Sequence, residues 1–189
     1  MALHRAHTLT KILVPYYSQE DDDADSYAND CGPTCVKTML SWASLALNVG
    51  IDRISRDIGI APRGKDSFAS MAQLMVVAAK YGLRLRHQHS VTLQEIVDEL
   101  DAGRPLITRV HYGSFPKRQS AYNGAHFVVN TGYADSYLLV HDPDWWGERR
   151  YEGEYLHIPV DAFQTAFGPI GSKKMGSAYH SQALFVAKR

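Results

Sequence analysis

Three side chains of this sequence have the types needed for catalysis at a thiol: Cys31, His126 and Asp142. A cysteine thiolate is a strong nucleophile, a histidine can transfer protons near neutral pH, and a carboxylate can orient that histidine. A lone free cysteine is more often a small buried hydrophobic residue. Because all three types occur in a plausible chain order, we favour catalysis over a purely structural role for Cys31.

Cys31 is predicted to stand where a turn becomes a helix that runs to about Leu45. Gly32 permits a tight backbone approach, and Pro33 suits the first helical position because its missing N–H has no intrahelical partner there. The positive end of the helix dipole and the free backbone N–H groups would then favour thiolate over thiol. Cys35 falls one turn later on the apolar stripe, so we interpret it as packing, with a redox role as the alternative.

His126 and Asp142 are predicted to meet on a β-hairpin. Two strands, residues 125–131 and 137–142, flank a turn-forming segment. A turn centred on Ala134 would place the histidine directly opposite the aspartate, on one face of the hairpin. The carboxylate could then fix the tautomer of the imidazole and leave its other nitrogen for the thiol. The neighbouring His141 points to the other face and is interpreted as structural, while Asp144 is a weaker alternative orienter.

Gln19 is the candidate oxyanion donor, since a thiol hydrolase needs an amide N–H near its nucleophile. An exposed loop residue is the alternative interpretation. Tyr17, Trp145 and Trp146 are the candidate substrate-binding residues, although the adjacent tryptophans could instead cover the core.

Composition narrows the function classes. The 189 residues suit one domain, predicted over residues 12–189 after a loose arm at 1–11. Lysine plus arginine and aspartate plus glutamate are 20 each, so no basic field predicts nucleic-acid binding. No apolar run has the length of a signal peptide or spanning helix, which predicts no membrane insertion and a cytoplasmic location.

Residues 20–25 lack the glycine and spaced glutamate of an EF-hand, and a zinc site from the two cysteines and a histidine lacks ligand spacing, so we predict no metal.

The predicted elements form an amino-terminal helical half that carries Cys31 and an antiparallel sheet that carries His126 and Asp142, which predicts an α+β fold. A helix opened by Ser67 is predicted to turn Phe68 inward, and Thr92 begins a capping box. Further helices are predicted at 51–58 and 160–167, strands at 83–87, 105–110, 155–158 and 183–186, and polar loops at 111–123 and from 168 to Gly176.

Four short segments together resemble the papain-like peptidases of the bacteriocin-processing, double-glycine-leader type, and more closely their stand-alone relatives: Val14-Pro15-Tyr16-Tyr17-Ser18-Gln19, Asp30-Cys31-Gly32-Pro33-Thr34, Gly124-Ala125-His126-Phe127-Val128-Val129 and Asp142-Pro143. The resemblance implies a papain-like cysteine peptidase fold, with a helical half packed on an antiparallel sheet. It also implies that Cys31 is the nucleophile, His126 the general base and acid, Asp142 the orienter and Gln19 the oxyanion donor.

The implied activity is hydrolysis of a peptide bond by a Cys-His-Asp triad without a cofactor. The implied partner is a peptide substrate. Three alternatives use the same machinery or shape: a lysin-type endopeptidase or amidase acting on peptidoglycan peptides, acyl transfer to an amine, and a peptide-binding relative without turnover.

Overall fold

A seven-stranded antiparallel sheet with helices on both faces organises the protein. The computed structural model describes residues 9–20, 29–59, 68–177 and 180–187. The strands are β1 (Thr10–Lys11), β2 (Leu85–Gln88), β3 (Leu106–His111), β4 (Ala125–Ala134), β5 (Tyr137–His141), β6 (Leu156–Pro159) and β7 (Ala183–Val186). Their order across the sheet is β2-β7-β3-β4-β5-β6, and β1 pairs with β4.

Six α-helices are present in the described part of the chain. They are α1 (Cys31–Trp42), α2 (Ile51–Asp57), α3 (Met71–Lys80), α4 (Leu93–Asp101), α5 (Val160–Phe167) and α6 (Pro169–Lys174). Capping boxes open α3 and α4, at Ser70 with Gln73 and at Thr92 with Glu95. None of these helices is long and apolar enough to cross a membrane.

Alternate residues of the central strands serve two separate cores. Phe127 and Val129 of β4 join the cluster made with α1, α2 and α3, whereas Val128 joins the cluster made with α4 and α5. This alternation follows from the two-residue side-chain period of a strand. The sheet is therefore covered on both faces, and its central strands are buried along most of their length.

The β4–β5 hairpin differs from its predicted register. Its turn is the two residues 135–136, and a bulge at Thr131 lies between the pairs Asn130 with Val140 and Gly132 with Leu139. His126 is paired with Val110 of β3 and does not lie directly opposite Asp142, so that prediction was wrong. The bulge shifts the register by one residue, and without this shift the two side chains would point to opposite faces.

Other departures are local. Phe68 lies before α3 and is 49% exposed, so it does not face the core as predicted. Residues 169–174, predicted as loop, form α6. Thr10 and Lys11, assigned to the arm from the sequence, pair with Tyr133 and Gly132. Residues 1–8, 21–25 and Ser67, on which other predictions fall, lie outside the described residues.

Candidate active site

Cys31 is the first residue of α1 and lies at the floor of a cleft. Its side chain is largely buried, at 9% exposure. A Cβ atom at Gly32 would meet Leu74 at 3.0 Å and Ala69 at 3.1 Å, so the absence of a side chain there lets the start of α1 approach the α3 segment. The first-turn N–H groups have no intrahelical acceptor, which places the sulfur at the positive end of the helix.

His126 connects the sulfur to a buried acid. Its Nε2 lies 2.7 Å from Asp142 Oδ1, and its side chain lines the same cleft as that of Cys31. Because Nε2 is engaged by the carboxylate, Nδ1 is the nitrogen available to the sulfur. The ring of Tyr112 packs against the imidazole with centroids 4.3 Å apart. These contacts hold the ring in one orientation.

The pKa of His126 reflects opposing influences. Burial of the ring lowers the pKa, but the charge and hydrogen bond of Asp142, aided by Cys31, outweigh burial and raise the pKa to about 10. The imidazole is therefore protonated at neutral pH, beside the cysteine sulfur. A positive ring in this position stabilises a thiolate.

Asp142 accepts four hydrogen bonds and is fully buried. His126 Nε2 and the backbone N–H of Asp144 reach Oδ1, while Tyr112 Oη and Trp145 Nε1 each donate to Oδ2 at 3.0 Å. Four donors around one carboxylate fix its position.

The segment that we call the strap (residues 14–20) is tied to the segment that we call the acid loop (residues 142–145). Ser18 Oγ donates to Trp145 O at 2.6 Å, and Gln19 N donates to Pro143 O at 2.9 Å. Gln19 Nε2 donates to Asp144 Oδ1 at 3.0 Å. The strap therefore delivers the Gln19 amide to the same cleft as Cys31 and His126.

The cleft has a volume of about 400 Å³. Its lining combines the polar side chains of the site with aromatic rings and is formed by Gln19, Glu20, Cys31, Phe68, Ser120, Tyr122, Ala125, His126, Asp144 and Trp146. Phe68 and Tyr122 stack across it with centroids 6.2 Å apart. We call Phe68, Tyr122 and Trp146 the aromatic rim.

Two of the three substrate-binding predictions need correction. Trp145 is fully buried and its indole donates to Asp142, so it belongs to the site's support and cannot touch a substrate. Tyr17 is absent from the described cleft lining, because its hydroxyl bonds Ser41 of α1. Trp146 does line the cleft. The pattern of two adjacent tryptophans could not show which of them was buried.

Sequence reasoning missed Phe68, Ser120, Tyr122 and the supporting Tyr112. Residues 111–123 were predicted as a polar loop, and none of its residues was singled out. Tyr112 directly follows the end of β3, and β3 pairs with the strand that carries His126. This position next to a neighbouring strand was the signal that could have identified Tyr112. Tyr122 and Ser120 lie in irregular chain, where spacing carries no information about contacts.

His141 and Cys35 behave as the structural residues that were predicted. His141 Nε2 bonds Val14 O at 2.9 Å and its Nδ1 accepts from Tyr155 N at 3.1 Å, and burial lowers its pKa to about 4. Cys35 is buried, and burial raises the pKa of its thiol well above the usual value. Within the described residues, no group of three or more His, Cys, Asp or Glu side chains could hold a metal ion.

The sequence profile of the Peptidase_C39 like family matches residues 11–175 of the chain. No curated protein sequence matches it.

Three solved structures share the fold over nearly their whole length. The first is described as a C39-like peptidase from Bacillus anthracis. It has 19% identity and a TM-score of 0.64, and the match covers 95% of this chain and 98% of that one. A double glycine motif protease from an AMS/PCAT transporter, in complex with the leader peptide, has 17% identity and a TM-score of 0.58, covering 97% and 100%. The peptidase domain of Streptococcus ComA, a bifunctional ABC transporter involved in quorum sensing, has 17% identity and a TM-score of 0.59, covering 95% and 99%. These matches confirm the predicted papain-like α+β fold.

Proposed function

The chain belongs to the Peptidase_C39 like family, and from that premise we propose that it is a cysteine peptidase that hydrolyses a peptide bond with Cys31, His126 and Asp142 as its triad. The observation that carries the proposal is the hydrogen bond from the His126 imidazole to the buried Asp142 carboxylate, in a cleft that both Cys31 and His126 line. A nucleophile, a base and a third group that orients the base are what acyl transfer at a thiol requires.

The first half of the reaction forms a thioester. The Cys31 thiolate attacks the carbonyl carbon of the substrate, and the resulting oxyanion accepts hydrogen bonds from Gln19 Nε2 and the backbone N–H of Cys31. His126, already protonated, gives its proton to the leaving amine as the C–N bond breaks. Asp142 keeps the ring oriented and balances its positive charge throughout.

The second half releases the acid. His126, now neutral, removes a proton from a water molecule as that water attacks the thioester carbonyl. The same oxyanion donors hold the second tetrahedral intermediate, the C–S bond breaks, and the Cys31 thiolate and the imidazolium are restored.

The proposed substrate is a peptide. Two of the structural relatives are a double glycine motif protease in complex with the leader peptide and the peptidase domain of a bifunctional ABC transporter involved in quorum sensing. The cleft here is a groove with polar chemistry on one side and exposed rings on the other, which suits an extended chain with at least one apolar side chain.

A peptide-library digest read by mass spectrometry tests the proposal. The library includes muropeptides, and a parallel reaction contains an added amine that would capture the acyl group if transfer rather than hydrolysis dominates. The blank is Cys31→Ala, and the matched control is Cys35→Ala, which removes the other thiol one helical turn away. We expect new termini with wild type and with Cys35→Ala, and none with Cys31→Ala. Equal cleavage by the Cys31→Ala protein would overturn the proposal.

A further inference from the structure

Asp144 touches both the support of the triad and the candidate oxyanion donor. Its backbone N–H donates to Asp142 Oδ1 at 3.0 Å, the same oxygen that His126 Nε2 reaches. Its side chain accepts from Gln19 Nε2 at 3.0 Å through Oδ1 and from Ser120 Oγ at 2.5 Å through Oδ2. It is only 6% exposed and lines the cleft.

The orientation of the Gln19 amide depends on this carboxylate. Gln19 Oε1 is buried without a hydrogen-bond partner, so within the described residues Asp144 supplies the polar contact that distinguishes the two ends of the amide. With the amide reversed, an amide oxygen would face a carboxylate oxygen, which is repulsive because neither can donate. In the observed orientation one N–H is given to Asp144, and the second N–H of Nε2 is left for a substrate oxygen.

We propose that the Asp144 carboxylate is a positioning residue that sets the amide of Gln19 for oxyanion binding, and that its protonation switches this donor off. The proposal rests on the peptidase function proposed above. A protonated Asp144 could donate to the amide oxygen, which would let the amide reverse and withdraw its N–H from the cleft.

The electrostatic surroundings of Asp144 favour its protonation more than those of an ordinary carboxyl group do. Burial raises the pKa of Asp144 above its ordinary value, and the Asp142 charge adds to this rise, while His126 and the hydrogen bonds from Ser120 and Tyr112 lower it. Glu20 is a further ionisable group of the same cleft. The net direction is upward.

Two variants of Asp144 separate positioning from structure. Asp144→Asn can still accept from Gln19 through its oxygen and donate to Ser120 through its nitrogen, but it cannot ionise. Asp144→Leu keeps the branching at Cγ but is larger and has no acceptor. With a fluorogenic peptide built on a cleavage site found in the library digest, we expect Asp144→Leu to lower kcat about 10-fold to 100-fold at pH 7.5, with a smaller change in KM, because one oxyanion donor is worth about 100-fold to 1,000-fold. Asp144→Asn should recover most of that loss.

The double variant with Gln19→Ala shows whether Asp144 acts through the amide. If it does, Asp144→Leu lowers kcat by less than about twofold in the Gln19→Ala background, since there is no donor left to orient. An equal loss in both backgrounds would overturn the inference. If Asp144→Leu does not fold, as judged by its melting temperature, the pH profile of Asp144→Asn decides instead.

The pH profile gives a readout that a purely structural role would not change. In wild type the acidic limb of kcat should lie at a higher pH than an ordinary carboxyl group sets, and Asp144→Asn should remove it. Ser120→Ala, which deletes a hydrogen bond that lowers the pKa of Asp144, should move the limb to higher pH. An acidic limb unchanged in Asp144→Asn would overturn the inference. Wild type that neither cleaves any peptide nor shows selective alkylation of Cys31 would instead defeat the proposed function, and this inference with it.

Discussion

The two walls of the cleft are built differently. The acid loop is buried and densely hydrogen-bonded: Asp142 accepts four hydrogen bonds, and the strap is tied down by Ser18 and Gln19. The aromatic rim is exposed, with Phe68 at 49% and Tyr122 at 39%, and its two facing rings are joined by stacking. Hydrogen bonds between buried groups fix directions to within a narrow range, whereas ring stacking tolerates sliding.

This difference separates chemistry from recognition. The groups that orient His126 and Gln19 are on the buried, hydrogen-bonded wall, and those that would contact the remainder of a substrate are on the exposed one. Substitutions on the acid side should therefore lower kcat or stability, while substitutions at the rim should change KM and leave stability nearly unaltered.

The largest effect is expected from His126→Ala. Removing the imidazole leaves Cys31 without a base and without the positive charge that stabilises its thiolate, so kcat should fall on the order of 10⁴-fold or more. The measurement is single-turnover cleavage of the peptide identified in the library digest. His141→Gln, which replaces another buried histidine outside the cleft, is the matched control and should retain activity. Comparable losses in both variants would mean that folding, not the base, was affected.

Asp142→Asn should have the next largest effect. The variant keeps the size of the side chain, but its neutral amide no longer raises the pKa of His126, so that pKa should fall from about 10 toward the value that burial dictates. We expect kcat at pH 7 to fall on the order of 100-fold or more, because the orientation and charge balance of the ring are both lost. NMR titration of the His126 ring measures the pKa directly. A ring that still titrates near its wild-type pKa would contradict the assignment of Asp142 as its main partner.

Acid pH should loosen the strap through His141. The folded protein holds this ring neutral with a pKa of about 4, while an unfolded histidine has a pKa near 6.5. Between these pH values the unfolded chain binds more protons than the folded chain. The contribution of His141 to the free energy of unfolding is therefore complete above pH 6.5 and falls by up to about 3 kcal/mol as the pH drops toward 4. Urea unfolding from pH 4 to 7 measures this slope, and His141→Gln should flatten it. An equally steep slope in that variant would assign the effect to other groups.

The smallest effects are expected at the rim. Phe68→Ala should raise KM about threefold to 30-fold with little change in kcat, since its ring would contact substrate without touching the reacting atoms. Its melting temperature should stay within about 2 °C of wild type, because the side chain is half exposed. Val76→Ala, at an exposed residue of α3 outside the cleft, is the control. A kcat loss in Phe68→Ala larger than its KM change would show that the rim takes part in the chemistry.

The residues that carry the proposed reaction could be found from the sequence because each lies in a short motif with its own local constraint. Gly32 and Pro33 mark the start of a helix at Cys31, and two apolar strands mark the hairpin that carries His126 and ends at Asp142. The sequence predicted that His126 and Asp142 share a face of the hairpin, although the predicted pairing register was wrong. The bulge at Thr131 explains this, because its one-residue shift depends on tertiary packing against β1 and leaves no signal in a single sequence.

The rim and the role of Asp144 could not be predicted in the same way. Phe68 and Tyr122 are 54 positions apart in irregular segments, and their contact depends on how the helical half closes on the sheet. Trp145 and Trp146 are neighbours of the same type, yet only the second lines the cleft, because the strap and Asp142 enclose the first. Asp144 had been considered only as an alternative orienter, since its link to Gln19 spans most of the chain.

Competitive alkylation of the two cysteines in the folded chain, followed by peptide mapping, tests directly whether His126 activates Cys31. We expect Cys31 to be alkylated at pH 6 to 7 at least 100-fold faster than Cys35, because the thiol of Cys35 is buried with a raised pKa. We also expect His126→Ala to abolish this advantage. Equal alkylation rates at the two cysteines, or a fast rate at Cys31 that His126→Ala does not change, would contradict the assignment of Cys31 and His126 as nucleophile and base.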